Sequence, residues 1–297
     1  MRKSINFPLI IFALLLNITF IIGQENNPNQ TLYPHTCGTG ACSPARQAFL
    51  MEIYGAELAE NTPVRNFKVK VHIVQDTNGY SRINDSLVIS SIANLNESFR
   101  EAHMQFSLLP VINKVQSNYV LNELRREVQK ENELTANIDV QGVINIYIVR
   151  SNNALQGYTP TLSEHFEQYE EAGLDKIFIG SRAFANNATL QHELGHFFSL
   201  HHTYGDSPVE GSTLELPDGS NCRTTGDFIC DTPADPNGQL DCCTCEYLGT
   251  IHPSEKRFNP RISNFMSYYK YCCRNAFTPG QLAVMYNFAI RYRGYLK

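Results

Sequence analysis

The spacing of apolar residues divides the chain into a strongly patterned region and a weakly patterned one. Phe67, Val69, Val71 and Ile73 alternate with Lys68, Lys70 and His72, the period-two signature of a half-buried strand. From Leu87 to Glu101, Val88, Ile92, Leu95 and Phe99 recur at helical spacing, with Asn84, Asp85 or Ser86 placed to cap the first turn. Gln105–Ile112, Val143–Val149 and Lys176–Ser181 are short β-rich runs expected to join the first strand in one sheet. A polar helix near Asn122–Glu133 reads as a solvated face. Another helix is expected after Asn186 or Asn187. The last one opens at Thr278, where Pro279 suits the first turn and Gln281 completes a capping box. Leu282, Met285, Tyr286 and Ala289 give it a buried stripe. Between these two helices few periodic signals survive. The pattern implies a mixed α/β (α+β) domain, with a twisted sheet packed on helices above an irregular lower part.

The helix after Asn187 carries His192-Glu193-Leu194-Gly195-His196, with His201 and His202 just beyond. Histidines four apart lie one turn above each other on the same face, so both imidazoles can reach one Zn²⁺. Glu193 then stands beside the metal's open position, where it can take a proton from a water that the metal acidifies. If the helix continued, residue 202 would lie about 240° further round, at roughly 100° per residue, and would face away. The chain must therefore leave the helix first. Ser199 occupies the place where a left-handed residue makes that exit, at a cost of roughly 1 kcal/mol for serine. His202 is the expected third ligand and His201 the alternative.

Further along stands Asn264-Phe265-Met266-Ser267-Tyr268. With it the chain resembles the metzincin zinc peptidases, and more narrowly the pappalysin family. The likeness is carried by His202-Thr203-Tyr204, by Gly226 to Pro233 and by Cys273 to Gln281, and it covers about residues 67–297. Ser199 departs from the family's usual glycine. The resemblance implies a metzincin-like catalytic domain with one catalytic Zn²⁺ per chain on His192, His196 and His202. It also implies Met266 as an apolar floor under the metal, and Tyr268 as a phenol that swings toward the developing oxyanion. Two further implications are a Cys245–Cys273 disulfide and an edge strand that pairs with extended substrate, for which Leu155–Tyr158 is the candidate.

The amino terminus changes the picture. Arg2 and Lys3 precede an apolar run from Phe7 to Ile22 and then a polar stretch, the layout of a secretory signal peptide over residues 1–23. Asn17 and Thr19 interrupt the run, so no stable membrane span is expected. Its removal shifts the formal net charge from −5 to −7 by taking away Arg2 and Lys3, and nothing suggests a nucleic-acid surface. Residues 24–66 read as a pro-segment and 67–297 as the catalytic domain. Pro63–Asn66 is the expected processing point, and the family's taste for basic residues makes cleavage after Arg65 a candidate autocatalytic event.

Nine cysteines in an exported chain argue for disulfides. Cys222, Cys230, Cys242, Cys243, Cys245, Cys272 and Cys273 crowd the weakly patterned region, where crosslinks supply what apolar burial does not. A second, structural zinc on Cys242, Cys245, Cys272 and Cys273 is the rival reading. The odd count points to Cys37, in a Cys-Gly-Thr leader comparable to that of some family members. It is either a thiolate that fills the fourth zinc position and keeps a zymogen latent, or half of a Cys37–Cys42 disulfide. Asp227, Asp231, Thr232 and Asp235 bring hard oxygens into one loop, which suits a structural Ca²⁺ of the kind related enzymes bind; capping of their own turns is the alternative.

The expected activity is that of a secreted zinc metalloendopeptidase acting on protein or peptide substrates. The alternatives are a zinc hydrolase of other substrates and a secreted, metal-stabilised binding or adhesion protein without turnover. Glu193 argues against the latter, because a purely structural zinc takes four protein ligands and has no use for a carboxylate beside an open position.

Overall fold

The sheet is assembled around β1 (Arg65–Gln75), which pairs in parallel with β4 (Ile144–Val149) on one side. On its other side run β2 (Met104–Leu108) and β3 (Asn113–Gln116), which share that edge end to end. The run expected as one strand over 105–112 is thus broken: Pro110 has no N–H to give to a ladder, and the chain steps out and returns as β3. β6 (Lys176–Gly180) extends the sheet beyond β4, and β5 (Gly157–Tyr158) closes that end as the antiparallel strand. In this computed structural model the described residues are 44–296, apart from 54, 153–154, 161–174, 206–211, 238–243, 250–251 and 253–255. All lie within the unit Leu32–Lys297. The expected signal peptide, Cys37, Cys42, Cys242 and Cys243 fall outside the described residues.

Both faces of the sheet are covered. Val69, Val71, Ile73, Ile146, Ile148, Ile177 and Ile179 face α2 (Asp85–Ser98), α5 (Thr189–Phe197) and α6 (Pro279–Tyr292) in the main core. Asn84 caps α2 by accepting a hydrogen bond from the Leu87 amide. On the opposite face His72, Tyr147, Phe178 and Tyr158 stack across four neighbouring strands, with centroids 4.4, 5.0 and 4.8 Å apart. The polar stretch read as a solvated helix is two short helices, α3 (Leu121–Arg126) and α4 (Val128–Thr135), and their Leu121, Leu124 and Leu134 seal this second face. His72, read as the polar side of a half-buried strand, is accordingly fully buried, as parallel sheets with two covered faces require.

The segment ahead of β1 also joins the core. α1 (Pro44–Glu52) buries Phe49 and Leu50, and the Phe49 ring meets Phe288 and Tyr292 of α6 edge-on at 5.8 and 5.5 Å. The Arg65 amide already bonds to the His103 carbonyl, and the Tyr286 hydroxyl donates to the Pro63 carbonyl. The expected processing point is therefore the tethered start of the first strand. At the far end of α6, buried Arg293 pairs with Asp175 and lies 3.9 Å over the Phe197 ring, fixing the last residue of α5 against the start of β6.

Candidate metal centre

α5 lies buried along its whole length, so its two histidines are presented by a helix that cannot roll. Asn186 begins it, accepting hydrogen bonds from the Ala188 and Thr189 amides. The chain leaves it at Ser199, whose φ of +76° is the left-handed exit expected there. The same turn points the Leu200 carbonyl at His196 Nδ1, 2.8 Å away. His202 then swings back: His196 Nε2 lies 3.1 Å from His192 Nε2 and 3.0 Å from His202 Nε2. His201 turns instead toward Phe228.

The other ring nitrogens explain why the three Nε2 atoms converge. His192 Nδ1 donates to the Phe265 carbonyl at 2.7 Å, His196 Nδ1 to that of Leu200, and His202 Nδ1 meets the Tyr204 hydroxyl at 3.0 Å. Holding the proton on Nδ1 leaves each Nε2 lone pair free for one common cation. Burial pushes the pKa values of His192 and His202 well below the ordinary range, and for His192 the neighbouring histidines and Arg274 add to this. These two imidazoles are therefore neutral, as ligands must be. Three soft-to-borderline nitrogen donors with this spacing fit a transition metal of the zinc type.

Met266 lies under the helix, fully buried, and Gly195 is what admits it, since a Cβ there would stand 2.4 Å from its Sδ. Asn264 builds the turn: its Oδ1 accepts the Met266 amide, and its Nδ2 donates to Gln281 Oε1, which also accepts the Thr278 amide in the capping box of α6. Tyr268 stands beside the triad, its ring 4.6 Å from that of His202.

Glu193 is buried, with the Thr159 hydroxyl 3.2 Å from its Oε2. Gly157 of β5 lies against its other side, where a Cβ would come within 2.6 Å of Oε1. Neither Thr159 nor the role of Gly157 was legible in the sequence beyond the expected edge strand, although a glycine between Gln156 and Tyr158 was a signal for a close approach. Arg274 was missed as well: it is buried and donates to the carbonyls of Phe265 and Ser267, so it braces the group that orients His192.

The lower part is cross-linked by Cys245–Cys273 and Cys222–Cys230. Cys245, Cys272 and Cys273 bring their sulfurs together, but two of them are spent in a disulfide and have no thiolate to give, which removes the reading of a second zinc there. Cys272 forms no disulfide among the described residues. Of the calcium candidates, Asp231 accepts from the Thr278 hydroxyl and the Gly280 amide at the start of α6. Asp227 accepts the Ile229 amide, and buried Asp235 joins Thr203 to Tyr269. Thr232 Oγ1 is buried with no hydrogen-bond partner among the described residues.

A helix bearing two histidines, a third beyond a left-handed turn and a methionine turn beneath them define the metzincin class of zinc metallopeptidases. The family model described as pregnancy-associated plasma protein-A matches residues 169–289. An extracellular metalloprotease of Neurospora crassa is 26% identical over 285 residues, 89% of this chain and 90% of its own length. One from Sordaria macrospora is 26% identical over 282 residues, again 89% and 90%. Among solved structures, Tannerella forsythia promirolysin superposes with a TM-score of 0.59 at 20% identity, over 84% of this chain and 89% of its own. Mirolysin superposes with 0.56 at 22%, over 75% and 91%. Over residues 169–289 the chain is thus similar to the family of pregnancy-associated plasma protein-A, and over most of its length to these extracellular metalloproteases.

Proposed function

We propose that the protein is a secreted zinc endopeptidase that hydrolyses peptide bonds in protein substrates. The observation that carries this is the convergence of three Nε2 atoms, each fixed from behind, next to a buried carboxylate on the wall of an open cleft. When bound there, zinc supplies a Lewis acid that polarises the scissile carbonyl and acidifies a water. Glu193 accepts the proton of the attacking water and passes it to the leaving amine. Thr159 and the bare backbone of Gly157 hold its carboxylate in place, and Tyr268 offers its phenol to the charge growing on the carbonyl oxygen. β5 provides an edge for extended substrate. Export is supported by residues 1–23 and by relatives described as extracellular metalloproteases. Among the described residues no helix is long and apolar enough to cross a membrane.

Residues 24–66 form a pro-segment in this reading, with Cys37 as the group that silences the metal; the burial of Phe49 and Leu50 supports a leader that docks on the enzyme. Calcium belongs to the loop of Asp227, Asp231 and Thr232. Buried Glu215 stands against Gly226 in that loop, and its carboxyl is pushed up to about 8, first by burial and then by Asp227 and Asp235. A cation would relieve that repulsion.

One set of measurements tests these points. Elemental analysis should return one zinc per chain together with calcium. Glu193→Ala should keep the zinc and lower cleavage of an unfolded protein ~10²–10⁴-fold, and Cys37→Ala should activate the unprocessed precursor. A zinc-loaded, processed enzyme that cleaves nothing would favour the binding or adhesion reading. Absence of calcium, or a precursor indifferent to Cys37→Ala, would remove those parts alone.

A further inference from the structure

The cleft beside Glu193 opens into a cavity of about 340 Å³. The first turns of α5 form one wall, and the chain following the methionine turn forms the other, with Tyr268, Lys270, Tyr271 and Arg274 facing the space. A substrate threaded past Glu193 must place a side chain here, because the cavity shares His192 and Glu193 with the metal site.

The charges on these walls are unequal. Glu193 is the single carboxylate among the lining residues, and the reaction already employs it. Against it stand two cations held in different ways. Arg274 is only 8% exposed and its guanidinium is anchored to the Phe265 and Ser267 carbonyls, which holds its charge in place. Lys270 is exposed at the rim and takes part in no ion pair among the described residues. Tyr268 and Tyr271 supply aromatic surface for a short aliphatic stem, and Tyr271 is half exposed. A cavity with fixed positive charge and flat aromatic walls attracts a carboxylate and repels an ammonium or guanidinium.

We propose that this cavity receives the side chain of a substrate residue flanking the scissile bond and selects glutamate or aspartate there, with Lys270 and Arg274 as its specificity-determining residues. The inference rests on the endopeptidase reading and adds its substrate class: polypeptides with an acidic residue at the cleavage site and no basic one in that position, so that cleavage between Arg65 and Asn66 falls to another protease.

The test uses the exported, metal-loaded enzyme on a chymotryptic peptide mixture from a bacterial lysate, which keeps internal acidic and basic residues, with products sequenced by mass spectrometry. Acidic residues should be enriched, and lysine and arginine depleted, at one of the two positions flanking the cut. In matched fluorogenic peptides that differ only there, kcat/KM should fall in the order Glu, Gln, Lys, with Glu over Lys by at least about tenfold at low salt and less in about 0.5 M NaCl. Lys270→Glu should cut the Glu-to-Lys ratio by about fivefold, and Lys270→Gln by less. Both substitutions fall on an exposed side chain, so folding is preserved. Efficient cleavage with neutral or basic residues favoured at both flanking positions would overturn this proposal alone, as would an unchanged ratio in Lys270→Glu. Failure to cleave any peptide or unfolded protein would overturn the endopeptidase reading and this inference with it.

Discussion

Between Arg65 and Phe197 the buried side chains are mostly branched aliphatics and aromatics laid out by strands and helices. Between Phe198 and Thr278 they include His202, Thr203, Glu215, Asp227, Asp235, Asn264, Ser267 and Arg274, set in loops. The first region places α5 by burying apolar area, a force without direction, and gains accuracy from the regularity of its elements. The second places the floor of the metal site through directed bonds: Asn264 to Gln281, Asp231 to the start of α6, Asp235 to Thr203 and Tyr269. A metal site needs both, because two ligands ride on a rigid helix and the third arrives on a loop that only specific contacts can fix.

The contrast can be broken from either side. The largest effect is expected from Phe178→Ala, which removes the middle of the ring stack next to β5 and should lower global stability by ~3–5 kcal/mol in denaturant unfolding. Replacing Cys245 and Cys273 together by serine opens a crosslink with a sequence separation of 28. The loss should be about 3 kcal/mol from chain entropy, and it should appear first as faster zinc loss to a chelator, with the sheet's amide exchange unchanged. Equal loosening of both regions would sink the division drawn here. Ser199→Gly relieves a positive φ and should stabilise by ~1 kcal/mol, read as a raised melting temperature.

The smallest expected effect is on pH dependence. His72 is buried on Tyr147 between Asn145 and Asn113, and burial lowers its pKa. The unfolded chain then takes up the proton first. The contribution of neutral His72 is complete above its unfolded value of about 6.5 and is lost as pH falls through the window down to the lower folded value. His72→Gln should flatten that part of the stability profile of the zinc-loaded enzyme between pH 7.5 and 5.5, and an unaltered slope would exclude this origin.

Legibility followed the same division. Period-two and helical spacings located β1, β4, β6, α2 and α6 because burial imposes them on a regular backbone. They misread α3, α4 and His72, since a surface-like composition hides three leucines and a ring stack that only the paired strands bring together. In the lower region periodicity was silent. The histidines and Met266 were found by motif, His202 by the geometry of a helix that had to end. Thr159 and Arg274 act through contacts with Glu193 and with carbonyls distant in the chain, and no local pattern announces such partners.

Gly157 leaves no room beside Glu193 for even a methyl group, and this gives the position diagnostic value. In any chain that keeps the three imidazoles but carries a larger residue here, the carboxylate must be displaced while the metal can still be held. Gly157→Ala should accordingly shift the carboxylate and lower cleavage while zinc is retained, and undiminished cleavage would show that the side chain swings clear.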